Sequence, residues 1–199
     1  MPRKKIFIRL LCIIIAIIVL ISGIFLWRRE VKNWNGNWHG NESATAGQFA
    51  NLVQSGVLYP VERVIDGDTL VATVADHEVT VRLIGMDTPE VVDPRKPVQC
   101  FGPEASAEAK EILTGKEVYI EKDPTKGDYD KYGRVLAYIY LSDADKTLFN
   151  LTMIEQGFAR EYTYFDQPYK YQAQFKQAET QAKASLLGLW NPKTCPVST

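Results

Sequence analysis

The chain has 199 residues, of which 46% are hydrophobic and 24% charged, and its formal net charge is −1 at pH 7. This is an ordinary globular composition, long enough for one domain with its own core. Residues 1–32 hold seven of the 23 Lys/Arg and one of the 24 Asp/Glu, so the remainder is acidic, with 16 basic and 23 acidic residues. This excludes binding of a polyanion through a broad basic surface. A polyanionic ligand would need a local basic cluster or a bound cation.

The N-terminal region predicts a membrane anchor. An uncharged stretch of Ile and Leu over residues 10–27 follows a short basic segment, residues 1–9, and ends at Arg28. Eighteen apolar residues are just enough to cross a bilayer. Four basic residues before the span against three after it favour a cytoplasmic N-terminus and an extracellular domain. A cleaved signal peptide is the alternative, although no Ala-x-Ala-like site precedes Arg28.

A linker and one globular domain are expected after the anchor. Residues 28–57 are rich in Asn, Gly, Ser and Gln and predict a linker, which places the domain at 58–193. Cys100 and Cys195 are the only cysteines after the predicted anchor. In an exported protein they predict one disulfide between the C-terminal tail and the loop before Gly102, with two unpaired thiols as the alternative.

The predicted elements alternate without a regular βαβ pattern. Strands are expected at 58–65, 69–75, 78–84, 117–122 and 134–141, and helices at 103–115, 148–158 and 168–187. A loop rich in Asp, Pro, Arg and Lys occupies 91–99 and is expected to be functional or merely solvated. The class is therefore α+β, and five strands with a helix between the third and fourth match the order of an OB-fold barrel.

Carboxylates stand at the two ends of the second and third strands. The hairpin brings the start of one strand beside the end of the next, so Asp68 and Asp87 are expected to meet at one end of the sheet, near Arg82. Each motif alone is compatible with an ordinary turn. Paired carboxylates with an arginine, together with the second basic motif at 130–134, predict a hard-cation site that handles phosphate.

Five separated motifs carry a family resemblance. They are Val64–Thr69, Arg82–Leu83, Asp87–Glu90, Gly102–Ser106 and Asp130–Arg134. In this order they are specific, and over residues 58–192 the chain resembles the thermonuclease family, that is, staphylococcal nuclease-like enzymes. The resemblance implies a five-stranded OB-fold barrel with three helices. It also implies a calcium-dependent phosphodiesterase that acts on DNA and RNA and leaves 3′-phosphate ends. Separately, the chain is expected to be a monomer.

The resemblance also implies roles for individual residues. Asp68, Asp87 and the carbonyl of Thr88 would bind Ca²⁺, and Glu90 would be the general base. The scissile phosphate would be bound by Arg82 and Arg134. Four further residues would contact the nucleotide: Lys131, Tyr132, Tyr162 and Tyr164. The spacing near the last two departs from the family by about one residue, so it does not indicate which tyrosine stacks on the base. The alternative is a non-catalytic nucleic-acid-binding OB-fold module, which would be expected to lack some of the acidic or arginine positions.

Overall fold

The structure, a computed structural model, describes residues 51–95 and 97–196. The predicted cytoplasmic segment 1–9, the anchor 10–27 and most of the linker 28–57 lie outside the described residues. Within the described ranges, no helix is long and apolar enough to cross a membrane.

Five strands form a closed barrel in the order β1–β2–β3–β6–β5. Their bounds are Leu58–Asp66 (β1), Thr69–Val74 (β2), His77–Leu83 (β3), Glu117–Glu121 (β5) and Val135–Leu141 (β6). All neighbours are antiparallel except β3 and β6, which run parallel. The helix α1, Gly102–Leu113, separates the third barrel strand from the fourth. The predicted five-stranded barrel of an OB-fold is thus confirmed.

The β2–β3 hairpin fixes the register of the end of the barrel that carries the acidic residues. Its turn has two residues, Ala75 and Asp76, with φ of 49° and 64°. Two positive φ values give the twist that a two-residue hairpin needs. Thr69 then pairs with Arg82, while Val79, Val81 and Leu83 alternate into the core. The turn lies one residue earlier than the strands expected at 69–75 and 78–84 imply, because β2 ends at Val74 and β3 begins at His77.

Two further helices pack on the barrel, α2 at Phe149–Glu155 and α3 at Gln172–Ala184. The prediction that the last helix spans 168–187 was wrong at both ends. At its start, the N–H of Lys170 donates to the buried Asp123 at 2.8 Å, so this backbone makes a tertiary contact and does not enter the helix.

The residue with left-handed backbone at the end of α3 is a Leu and not a Gly. Leu186 has φ of 52°, its N–H donates to the carbonyl of Lys183, and the N–H of Leu187 donates to that of Ala182. This is the Schellman pattern, which closes the helix two residues before Gly188. Leu186 is exposed and does not belong to the buried face of α3.

A small two-stranded sheet, β4 (Met86–Asp87) with β7 (Arg160–Glu161), was not predicted. Two residues are too few to show the period of a strand. Asp87 pairs with Arg160, which brings the chain that follows α2 beside the end of β3.

The predicted disulfide is present. Cys100 and Cys195 are bridged across 95 residues of sequence, with their Cα atoms 5.8 Å apart. The bridge attaches the C-terminal tail to the chain just before α1.

Candidate active site

One guanidinium holds both predicted metal-binding carboxylates. Nη1 of Arg82 lies 3.0 Å from Oδ2 of Asp68, and Nη2 lies 2.9 Å from Oδ1 of Asp87. The guanidinium also donates to the carbonyl of Met86 at 3.1 Å. The two carboxylates thus meet at one end of the barrel, as the hairpin predicts, and Arg82 reaches them from its place opposite Thr69.

Thr88 packs against the turn that precedes β2. Its N–H donates to Oδ2 of Asp68 at 3.3 Å. Its hydroxyl is buried and has no hydrogen-bond partner in the described part of the chain. A Cβ at Gly67 would lie 2.6 Å from the Thr88 side chain, so only glycine allows this approach. The backbone of Thr88, which carries the carbonyl predicted to bind the metal, is therefore held close to Asp68.

A fourth carboxylate, Asp66, is buried beside this cluster and was not assigned a role from the sequence. Burial raises its pKa to about 6; the N–H of Gly67 opposes this, whereas the charges of Asp68 and Glu90 add to it. The pKa of Asp87 is also raised, by burial first, against the attraction of Arg82. Raised carboxyl pKa values show that negative charge here is under-compensated by the protein.

The donor set fits a hard divalent cation. Carboxylate and carbonyl oxygens are the ligands that Ca²⁺ takes, and a cation would favour the charged form of carboxylates whose pKa values are raised by burial and by neighbouring carboxylates. Within the described ranges, no three His, Cys, Asp or Glu side chains already converge as a metal-holding group. The two predicted carboxylate ligands, Asp68 and Asp87, are both paired with Arg82, and the third predicted ligand, the carbonyl of Thr88, is a backbone atom.

Glu90 is held by the backbone that follows it. Its Oε1 accepts the N–H groups of Val91, Val92 and Asp93 at 3.1, 2.9 and 3.0 Å. Burial tends to raise the pKa of this carboxyl, but the three N–H donors outweigh it and the pKa is lowered. The group is therefore ionised, and Oε2 accepts none of these three bonds.

Arg134 is preorganised by a carboxylate of its own motif. Asp130 accepts its Nε at 2.7 Å and pairs with its Nη2 at 2.6 Å. The ring of Tyr132, 71% exposed, lies 5.3 Å from the guanidinium of Arg134 and 4.9 Å from Nζ of Lys131. Leu136 on β6 pairs with Arg82 on β3, so Arg134 stands one strand away from Arg82.

An exposed aromatic cluster follows β7. The rings of Tyr162 and Tyr164 are 6.3 Å apart, and both are about half exposed. Phe165, 78% exposed and 4.4 Å from the ring of Tyr164, belongs to the same surface and was missed. The signal was available, since Tyr164 and Phe165 are consecutive aromatic residues outside any periodic segment. The N–H of Tyr162 donates to the carbonyl of Gly85, which fixes the cluster beside β4.

The fold and the site define an OB-type barrel protein with acidic and arginine side chains gathered at one end, as a phosphate-handling site requires. Residues 80–192 match the family model described as staphylococcal nuclease homologue. The chain is 37% identical to a thermonuclease of Staphylococcus intermedius, covering 94% of this chain and 98% of that protein. It belongs to the staphylococcal nuclease family.

Two other relatives agree. A thermonuclease of Staphylococcus hyicus is 41% identical over 67% of this chain and 75% of its own length. The endonuclease YncB of Bacillus subtilis is 32% identical over 94% of this chain and 92% of its own length.

Proposed function

We propose that the chain is a calcium-dependent nuclease that hydrolyses phosphodiester bonds of DNA and RNA at P–O5′ and leaves 3′-phosphate ends. Family membership and the relatives named thermonuclease and endonuclease support the hydrolase. The observation that carries the proposal is the single guanidinium of Arg82 between Asp68 and Asp87 at 3.0 and 2.9 Å.

Asp68, Asp87 and the carbonyl of Thr88 would hold the calcium ion. When bound, the ion would supply electrostatic stabilisation of the negative charge that accumulates on the phosphate. The guanidinium of Arg82 lies among the same oxygens. The carbonyl of Met86 helps to fix its orientation, and the guanidinium would donate to a phosphate oxygen bound beside these carboxylates.

Arg134 supplies the second pair of planar donors. Its bond to Asp130 orders a long side chain before substrate arrives, so less entropy is lost when it binds a phosphate oxygen. Lys131 and Tyr132 lie next to it and would contact the phosphate and sugar side of the nucleotide. Tyr162 and Tyr164, with Phe165, offer faces on which a base can stack.

Glu90 would take the proton of the attacking water. Its Oε1 is saturated by three N–H donors, which leaves Oε2 to accept that proton. The same donors make Glu90 a weak base, so the two arginines and the cation carry the larger share of the rate enhancement.

We further propose that residues 10–27 tether the protein to the cell membrane with the nuclease domain outside. The Cys100–Cys195 disulfide supports an oxidising compartment. Mass spectrometry of the mature N-terminus tests the anchor. A chain that begins after residue 27 would instead be a secreted enzyme.

The test of the nuclease is cleavage of single- and double-stranded DNA and of RNA by the purified full-length chain, with Ca²⁺ and then with excess chelator. Cleavage that chelation abolishes and Ca²⁺ restores is expected. Asp68→Asn should lose Ca²⁺-dependent cleavage, whereas Asp145→Asn, an exposed carboxylate in the loop after β6, should retain it. Binding of nucleic acid by a folded chain without any cleavage would overturn the proposal in favour of a binding module.

A further inference from the structure

The loop from Glu90 to Gln99 is closed at its base by two reciprocal hydrogen bonds. The N–H of Glu90 donates to Oε1 of Gln99 at 3.0 Å, and the N–H of Gln99 donates to the carbonyl of Glu90 at 2.9 Å. Glu90 is therefore fixed through its side chain by Val91–Asp93 and through its backbone by Gln99. One residue at the far end of the loop thus determines where the backbone of Glu90 lies.

The start of α1 packs directly beneath this closure. The N–H of Gly102 donates to the carbonyl of Gln99 at 3.0 Å. A Cβ on Gly102 would lie 2.8 Å from a methyl of Val91 and 3.0 Å from the carbonyl of Pro89. This close approach ties the position of Glu90 to the segment between Gln99 and the helix.

Cys100 lies in that segment and is bonded to the C-terminal tail. Cys195 is itself placed by a turn, in which its N–H donates to the carbonyl of Asn191 at 2.8 Å. On the other side of Cys100, Phe101 has φ of 67° and stacks on Phe158 with ring centres 5.4 Å apart. The end of the loop is therefore anchored covalently on one side and by an aromatic stack on the other.

We propose that Gln99 and the Cys100–Cys195 disulfide are positioning residues for Glu90, which they hold in place for proton transfer. The inference rests on the proposed function, since it assumes that Glu90 is the base. Without the bridge, the segment before α1 keeps only noncovalent contacts, and the three N–H donors of Val91–Asp93 shift with the loop. A displacement of about 1 Å at a reacting group can cost up to about a hundredfold in rate.

The first test is a pair of substitutions at Gln99 and one at the bridge, in the full-length chain. Gln99→Met keeps the length of the side chain and removes the acceptor, and should lower kcat about tenfold with KM unchanged. Gln99→Glu retains an acceptor oxygen and should restore most of kcat. Cys100→Ser combined with Cys195→Ser should also lower kcat about tenfold. Gln181→Ala, an exposed glutamine of α3, is the matched control and should change nothing.

A double-mutant cycle separates positioning from general loosening of the fold. In a Glu90→Gln background, Gln99→Met and the paired Cys→Ser change should have no further effect on kcat, since they act through Glu90. The inference would be overturned if these changes lowered kcat by the same factor in the Glu90→Gln background as in the wild-type background. It would also be overturned if they left the kcat of the active wild-type enzyme unchanged.

Hydrogen exchange supplies a readout independent of activity. The amides of Val91, Val92 and Asp93 should exchange faster without the bridge, while those of β2 and β3 are unchanged. If the wild-type chain shows no Ca²⁺-dependent cleavage, the proposed function fails and the inference fails with it as a statement about catalysis. If the wild-type chain cleaves and the loop amides exchange equally fast with and without the bridge, the positioning inference alone fails.

Discussion

Two buried carboxylate environments in this protein are opposites. Asp123, 3% exposed, accepts hydrogen bonds from the hydroxyl of Tyr138 at 2.5 Å, the N–H of Lys170 at 2.8 Å, and the N–H and hydroxyl of Thr125, both at 2.7 Å. Burial tends to raise its pKa, but these donors outweigh it and the pKa is lowered. At the acidic end of the barrel, burial and neighbouring carboxylates raise the pKa of Asp66 and Asp87.

The difference separates a structural carboxylate from a functional one. Asp123 is saturated by donors from three parts of the chain, so it joins the loop after β5 to β6 and to the start of α3. At Asp66 and Asp87 burial and neighbouring carboxylates outweigh the donors, which disfavours the charged form and suits a site that receives a cation. Glu90 combines the two types, since it is satisfied by N–H donors yet lies at the acidic end.

The largest expected effect is the loss of kcat on substitution of Glu90, the carboxylate that combines both types of environment. Glu90→Gln should lower kcat by about 10²–10⁴-fold, the usual contribution of a general base, because an amide cannot take the proton. Ca²⁺ and nucleotide affinity, measured by calorimetry, should be unchanged. Glu155→Gln, an exposed glutamate of α2, is the control. Wild-type turnover in Glu90→Gln would show that Glu90 is not the base and that its role is structural, like that of Asp123.

Arg134 should behave as a functional residue although it is ion-paired. Arg134→Ala should lower kcat by about 10²–10³-fold, as for the loss of one transition-state donor. Stability should fall by less than about 1 kcal/mol, because its pair with Asp130 is partly exposed. Arg63→Ala, which removes an exposed pair with Glu78, should leave kcat intact. A large drop in the unfolding midpoint of Arg134→Ala would instead mark Arg134 as structural.

Asp123 should show the reverse pattern. Asp123→Asn replaces an acceptor oxygen by an NH₂ group that faces donors, and should destabilise the protein by about 2–3 kcal/mol. Urea unfolding measures this. The kcat of the folded fraction should stay near that of the wild type. If kcat falls more than stability does, the distinction between the two carboxylate environments breaks down.

The smallest expected effect is a gain in stability on substitution of Asp66, at the end of the barrel that carries the acidic residues. The pKa of Asp66 is about 6 in the folded state, above its ordinary value of 3.8, so the stability that the protonated group contributes is fully present below pH 3.8 and lost as pH rises through 6. Without metal, Asp66→Asn should therefore stabilise the protein by about 1–3 kcal/mol at pH 8, with the gain shrinking as pH falls from 6 towards 4. Thermal unfolding at pH 8 and pH 4 measures it. A gain independent of pH would show that the charge of Asp66 is not its cause.

The barrel and most of the candidate site could be predicted from the sequence because both depend on local patterns. Alternation in β3 fixes its inward face. A hairpin joined by a short turn brings Asp68, which precedes β2, beside the end of β3, and Asp87 follows four residues after that end. The family resemblance assigned Arg82, Glu90 and Arg134 to one site, and the cysteine count predicted the bridge.

The remaining features depend on contacts between distant segments, which no local pattern encodes. The β4–β7 ladder has only two residues per strand, and its pairing of Asp87 with Arg160 spans 73 positions. The start of α3 is set by the bond from Lys170 to Asp123, 47 positions away. The closure of Gln99 on Glu90 requires a glutamine side chain to meet one particular N–H across a loop. Each is a hydrogen bond whose partner is selected by packing, so the tertiary structure alone decided it.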